Sequence, residues 1–117
     1  MQGTVFSGSK AATKIMQDYL DKFKALFGKS FLPGTLNLRF EKELDISKWK
    51  YLKGFTKSDG TKRGGVYYKE GRLNSLDVVF LYPELSKHKK DVLEAISGER
   101  LRKALKAKDG DIVEIKI

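Results

Sequence analysis

Thr35 and Asn37 stand two residues apart in "FLPGTLNLRF", residues 31–40. In an extended chain, positions i and i+2 face the same side, so a hydroxyl and an amide would share one face. Two neutral oxygens of this kind suit Mg²⁺, which takes a few protein oxygens and keeps waters and substrate phosphates in its shell. The same side chains could instead satisfy backbone groups beside the Pro33-Gly34 turn, and spacing alone favours that plainer reading. A second candidate is "SGSKAAT", residues 7–13. A Gly-containing turn ahead of a helix offers unpaired N–H groups to an anion, and Lys10 adds a charge. An ordinary turn capped by Ser7 or Ser9 has the same sequence. The third candidate is "ELSKHKKDVLEAISGERLRKAL", residues 84–105, with Ser86, His88, Glu94, Arg100 and Arg102. Glu94 lies inside the apolar run "VLEAI", where a carboxylate needs a partner or a job. His88 lies among lysines and reads as a surface histidine.

Several other chemistries are excluded. There is no cysteine and only one histidine, so thiol nucleophiles, disulfides and multi-histidine metal sites cannot be built. The G-x-x-x-x-G-K-[ST], G-x-G-x-x-G and H-E-x-x-H patterns are all missing. What is left is oxygen ligands, backbone amides and basic side chains. Those are the parts used in phosphoryl transfer, which needs positioning and charge neutralisation more than covalent catalysis.

The elements that must position these residues follow from periodicity. Residues 3–7 read as a short strand. Ala12, Ile15, Met16, Tyr19, Leu20, Phe23, Leu26 and Phe27 keep helical spacing up to Gly28, which suits a C-terminal stop. A strand is expected at 35–40 and another at 49–55. Residues 57–65 are a polar, Gly-rich loop of hairpin type. "GVYYK" and "RLNSLDVVFLYPE" are expected to pair across Glu70-Gly71. Residues 92–96 fit either strand or helix. Residues 99–108 read as a short helix with Leu101, Ala104 and Leu105 inward, and "DGDIVEIKI" as a turn and a closing strand. Many short strands with one long and one short helix point to a mainly β fold, a small barrel with helices in its connections, as one domain over 1–117.

The 24 basic against 15 acidic residues give a net charge of +9, which attracts phosphates of any origin. The lysines are spread along the chain, as on a solvated surface. The apolar run "VVFLY" is too short to span a membrane, and no apolar leader is visible. The absence of cysteine fits a reducing, cytoplasmic setting.

Together the pieces resemble the archaeal CTP-dependent riboflavin kinase family. The likeness runs from "GTVFSG" through "PGTLNLRF" to "VLEAISGERLRKALKAKDGDIVEIKI". It implies a six-stranded cradle-loop barrel related to the RIFT fold. It also implies transfer of the CTP γ-phosphate to the riboflavin 5′-hydroxyl, giving FMN and CDP. Thr35 and Asn37 would hold Mg²⁺. Gly8, Ser9, Lys10, Ala11, Ala12 and Thr13 would bind nucleotide, with Arg100, Leu101, Arg102 and Lys103 as a second nucleotide patch. Ser86 and Glu94 would meet the flavin, and Glu94 is the first choice as base or hydroxyl-orienting group, with His88 second. Ser86 stands where the family usually has Thr, and Lys10 and Ala12 where it has glycines. CTP and riboflavin are then the expected partners of a monomer. The rival reading is a non-enzymatic basic barrel that binds nucleic acid. It is disfavoured because Phe23, Phe27, Trp49 and Tyr51 occupy core-like positions instead of offering rings for base stacking.

Overall fold

A computed structural model describes residues 1–8, 10–32, 34–86 and 88–117, with the backbone alone at 10–12. The described residues form β1 (Gln2–Phe6), α1 (Lys10–Met16), a 3₁₀ turn (Gln17–Tyr19) and α2 (Leu20–Phe27). β2 (Leu36–Arg39), β3 (Lys50–Leu52), β4 (Phe55–Thr56) and β5 (Lys62–Arg63) follow. The chain continues through β6 (Val66–Leu73), β7 (Leu76–Pro83), β8 (Val92–Ile96), α3 (Leu101–Leu105) and β9 (Ile112–Lys116). Strands β6-β7-β8-β2-β1-β9 lie side by side, and β9 pairs back onto β6, which closes a six-stranded antiparallel barrel. β3 adds to the outside edge of β6. β4 and β5 form a separate hairpin, so the strand expected over 49–55 is two short pieces.

Alternation divides β6, β7 and β8 between two cores. Val5, Leu36, Leu38, Leu73, Val78, Phe80, Leu93, Ala95, Val113 and Ile115 fill the barrel. The opposite faces of β6, β7 and β8 carry Val66, Tyr68, Val79, Leu81 and Ile96, which the helical layer covers with Met16, Tyr19 and Phe23. Gly28 takes a left-handed φ of 68° and ends α2 as expected. Ile15 and Leu26, read as part of the apolar stripe, are exposed instead. The 3₁₀ turn between α1 and α2 has three residues per turn, so a stripe counted at 3.6 slips out of phase across it. Ala104 likewise faces solvent, leaving Leu101 and Leu105 to dock α3 on the barrel. The helical layer is tied to the β4–β5 hairpin by Asp18, which meets Arg63 at 2.8 Å and Lys57 at 3.2 Å, and by the Tyr19 hydroxyl, which donates to the Gly64 carbonyl at 2.7 Å.

The hairpin joining β6 to β7 turns at Asn74-Ser75, not at Glu70-Gly71. Asn74 takes a φ of 52°, which Asn tolerates, and its N–H and Oδ1 bind the Glu114 backbone. Gly71 has a different task. A β-carbon there would lie 2.3 Å from the Lys116 carbonyl oxygen and 2.6 Å from Phe80, where β9 crosses β6 to close the barrel. Gly71→Ala is therefore expected to destabilise the fold by about 1–3 kcal/mol or more, read as a lower midpoint of denaturant unfolding.

Tyr51 lies on β3 at the barrel's outer edge and is 45% exposed, in contrast to the core-like place its periodicity suggested. Its ring tilts against Tyr67 at 5.0 Å. Its hydroxyl donates to Glu84 Oε2 at 2.8 Å, so the exposed ring sits beside a carboxylate that would repel a polyanion.

Candidate functional site

β2 is the strand on which the site is built. Leu36 and Leu38 point into the barrel, so Asn37 points outward. Antiparallel pairing sets Asn37 opposite Phe6 of β1 on one side and Glu94 of β8 on the other. Glu94 faces outward because Leu93 and Ala95, its neighbours in sequence, belong to the barrel interior. Thr35 lies just before β2 and directs its Oγ1 to Glu94 Oε1 at 3.5 Å. That is a long hydrogen bond, so the hydroxyl is only weakly committed to this partner. Thr35, Asn37 and Glu94, some 60 positions apart in the chain, are thus neighbours on one outer face. All three are partly buried.

Burial pushes the Glu94 carboxyl above the usual carboxylate range, and the Thr35 hydroxyl pulls it partway back. Among the described residues no lysine or arginine forms an ion pair with it. A carboxylate whose charge is poorly compensated is a better proton acceptor near neutral pH than an exposed one.

Gly8 borders this group. A β-carbon at Gly8 would stand 2.2 Å from Asn37 Nδ2 and 3.2 Å from its Oδ1. The turn after β1 therefore rests directly on the Asn37 amide, and a side chain at Gly8 would have to push that amide aside. Gly8→Ala is expected to displace that amide and slow turnover about tenfold or more, while unfolding shifts much less. Steady-state rates and a thermal melt on the same protein check this.

The second stretch read as nucleotide-binding reaches the residues that lead into the first. Arg102 Nη2 donates to Asp109 Oδ1 at 2.6 Å, to the Phe6 carbonyl at 3.3 Å and to Ser7 Oγ at 3.5 Å. Ser7 Oγ in turn donates to Asp109 Oδ2 at 2.5 Å. These contacts join the β1–α1 turn to α3 and to the 108–111 turn. Within the second stretch, Arg100 precedes α3 in an extended conformation, and Arg102 and Lys103 are exposed. Leu101 is buried in the barrel core, so only its backbone is left for a ligand. Thr13 is partly buried on α1. Ser9 and the side chains of Lys10, Ala11 and Ala12 lie outside the described residues.

Ser86 lies in the connection between β7 and β8. Its Oγ accepts the His88 N–H at 3.1 Å, and its own N–H binds the Pro83 carbonyl. The same connection is pinned by the Tyr82 hydroxyl, which donates to the His88 carbonyl at 2.7 Å. The His88 ring meets the edge of Phe6 at 6.2 Å, and the Arg39 guanidinium covers Phe6 at 4.9 Å. Phe6 and Arg39, neighbours of Asn37 across and along the sheet, were not read as site residues. An aromatic at the end of a first strand looks like core, and only its register beside Asn37 brings it here.

The family model for the CTP-dependent riboflavin kinase domain, described as Domain of unknown function DUF120, matches residues 5–117. The chain belongs to the CTP-dependent riboflavin kinase family. The match covers every strand of the barrel except the first three residues of β1. Curated relatives named riboflavin kinase include one from Staphylothermus marinus, 32% identical over 98% of this chain and 88% of its own length. Those from Methanospirillum hungatei and Archaeoglobus fulgidus are each 32% identical over the whole chain. The chain spans only 57% and 54% of these two longer relatives. The barrel with inserted helices expected from the family resemblance is the fold observed.

An oxygen-seeking cation fits the site's donor set. Thr35 Oγ1 and Asn37 Oδ1 are neutral oxygens, and the neighbouring Glu94 supplies one carboxylate. Among the described residues no group of three or more His, Cys, Asp or Glu side chains stands together. A hard cation held by few protein oxygens would draw the rest of its shell from water and phosphate.

Proposed function

We propose that this member of the riboflavin kinase family transfers the γ-phosphate of CTP to the 5′-hydroxyl of riboflavin, giving FMN and CDP. The observation that carries the reading is the convergence of Thr35, Asn37 and Glu94 on one face, with the Gly8 turn lying against Asn37. Thr35 and Asn37 would hold Mg²⁺, whose chemistry is to neutralise the charge on the triphosphate. Glu94 accepts a hydrogen bond from the riboflavin hydroxyl, orients it for attack and takes its proton. Residues 8–13 and 100–103 hold the nucleotide from two sides, a reading supported by the contacts of Arg102 with Phe6 and Ser7, which lead directly into Gly8. Ser86 contributes to the flavin side from the β7–β8 connection.

The same proposal takes residues 1–117 as one domain that works as a monomer in the cytoplasm. A radius of gyration of 13.5 Å supports a single compact unit of this length. No helix among the described residues is long and apolar enough to cross a membrane. Nucleic-acid binding is less well supported, since the exposed Tyr51 ring lies beside Glu84.

The nucleotide loop is where this chain departs from the family pattern it resembles. Lys10 and Ala12 in place of glycines keep the backbone further from the base. Leaving a polar group on the base edge unpaired costs about 1–3 kcal/mol, or roughly five- to 150-fold in preference. CTP is therefore expected to remain the best donor, with a weaker margin over UTP and ATP than a Gly-rich loop would give. The assay is FMN formation from riboflavin and Mg²⁺ with each of the four nucleoside triphosphates. Lys10→Gly should sharpen the ranking and weaken triphosphate binding at low salt. Identical rankings and identical salt dependence in the two proteins would make Lys10 a surface lysine.

A further inference from the structure

The Arg102 guanidinium, offered by its position as a phosphate ligand, is already engaged. Its shortest contact is Asp109 Oδ1 at 2.6 Å, and it also reaches back to the Phe6 carbonyl and Ser7 Oγ. Asp109 uses its second oxygen to accept the Ser7 hydroxyl. One carboxylate thus holds two partners, Ser7 and Arg102, and both belong to or touch the segment that leads into Gly8. The turn carrying Asp109 is set by other bonds. Gly110 N–H donates to the Val5 carbonyl at 2.7 Å, Val5 N–H donates to the Asp111 carbonyl at 2.8 Å, and the Asp111 side chain accepts the Lys108 N–H at 2.8 Å. Gly110 supplies the positive φ of 91° this turn needs. The Asp109 carboxylate is therefore not required to shape its own turn. What it adds is the link to Ser7 and Arg102.

We propose that Asp109 is a positioning residue for the nucleotide, fixing the Ser7-Gly8 turn through Ser7 and Arg102. Arg102 serves as a strut between α3 and the end of β1, with its charge largely answered by Asp109. All three contacts are made by one guanidinium nitrogen, Nη2, with Asp109 the shortest. The chain of contact continues from Gly8 to the Asn37 amide, so the strut also bears on the placement of Asn37. This assignment rests on the reading of residues 8–13 as a nucleotide site.

A purely structural role would leave little trace, because the Arg102 and Asp109 side chains are 42% and 53% exposed and exposed ion pairs add little to stability. The test compares Asp109→Asn and Ser7→Ala with the unchanged protein. The readouts are KM for CTP, KM for riboflavin, direct CTP binding by calorimetry, and amide hydrogen exchange at residues 5–8. Asp109→Asn is expected to raise KM and the dissociation constant for CTP about tenfold, to leave KM for riboflavin nearly unchanged, and to speed exchange at 5–8. Ser7→Ala should give a smaller shift in the same direction. Unchanged CTP affinity, or equal rises in both KM values, would overturn the proposal. A protein that forms no FMN from any nucleotide would overturn the kinase reading instead. In that case CTP calorimetry and exchange alone decide on Asp109, and unchanged exchange or no CTP binding would overturn its assignment too.

Discussion

Thr35→Val and Asn37→Leu are each expected to slow riboflavin phosphorylation by about a hundredfold or more and to raise the Mg²⁺ concentration needed for half-maximal rate. Val keeps the branched shape of Thr35 and removes only the hydroxyl. Leu keeps the approximate size of Asn37 and removes the amide oxygen. Neither residue contributes to the barrel interior, which β2 fills with Leu36 and Leu38. Stability should therefore change by no more than about 1 kcal/mol. The Thr35 hydroxyl has one long contact at 3.5 Å, so its loss leaves Glu94 without a strong bond to miss. Rates measured across a Mg²⁺ titration check the pair. Turnover at limiting Mg²⁺ equal to that of the unchanged protein, in both variants, would remove Thr35 and Asn37 from the metal site.

Glu94→Gln is expected to lower kcat by about a hundredfold to ten-thousandfold, with far smaller changes in either KM. The amide can still meet a hydroxyl but cannot take its proton. Stability gives an independent reading of the same residue. Burial already works against the charge of Glu94, so a neutral amide of the same shape should leave the fold as stable as before or slightly more so. A Glu94 retained as the partner of a buried cation would behave in the opposite way. Its replacement would destabilise the protein, and the folded fraction would turn over normally. Chemical denaturation and single-turnover kinetics on Glu94→Gln separate the two outcomes.

The alternation "LNLRF" read correctly because β2 is central to the barrel and buries one face completely, so its register is forced. The same logic placed Thr35 and Asn37 on one side, and the β2–β8 pairing then brought Glu94 to them, a contact no local pattern contains. The expected turn at Glu70-Gly71 misled for a related reason. Glycine marks turns through its backbone freedom, but Gly71 serves the close approach of β9, a demand made by barrel closure 45 residues later at Lys116. Tyr51 was misplaced because β3 is an edge strand outside the barrel, where alternation does not guarantee a buried face. The Ser7–Asp109 bond spans 102 positions and rests on two small polar side chains with no periodic signature. Local sequence carries the elements, whereas the links that fix the candidate site depend on which strands close the barrel.

The central claim is a single group transfer, and CTP labelled in its γ-phosphate follows it atom by atom. Incubated with riboflavin and Mg²⁺, the protein is expected to move the label into FMN in a one-to-one ratio with CDP formed, and to release almost none as inorganic phosphate. Label that remains in CTP, or that appears as inorganic phosphate whether or not riboflavin is present, would contradict the assignment of this barrel as a riboflavin kinase.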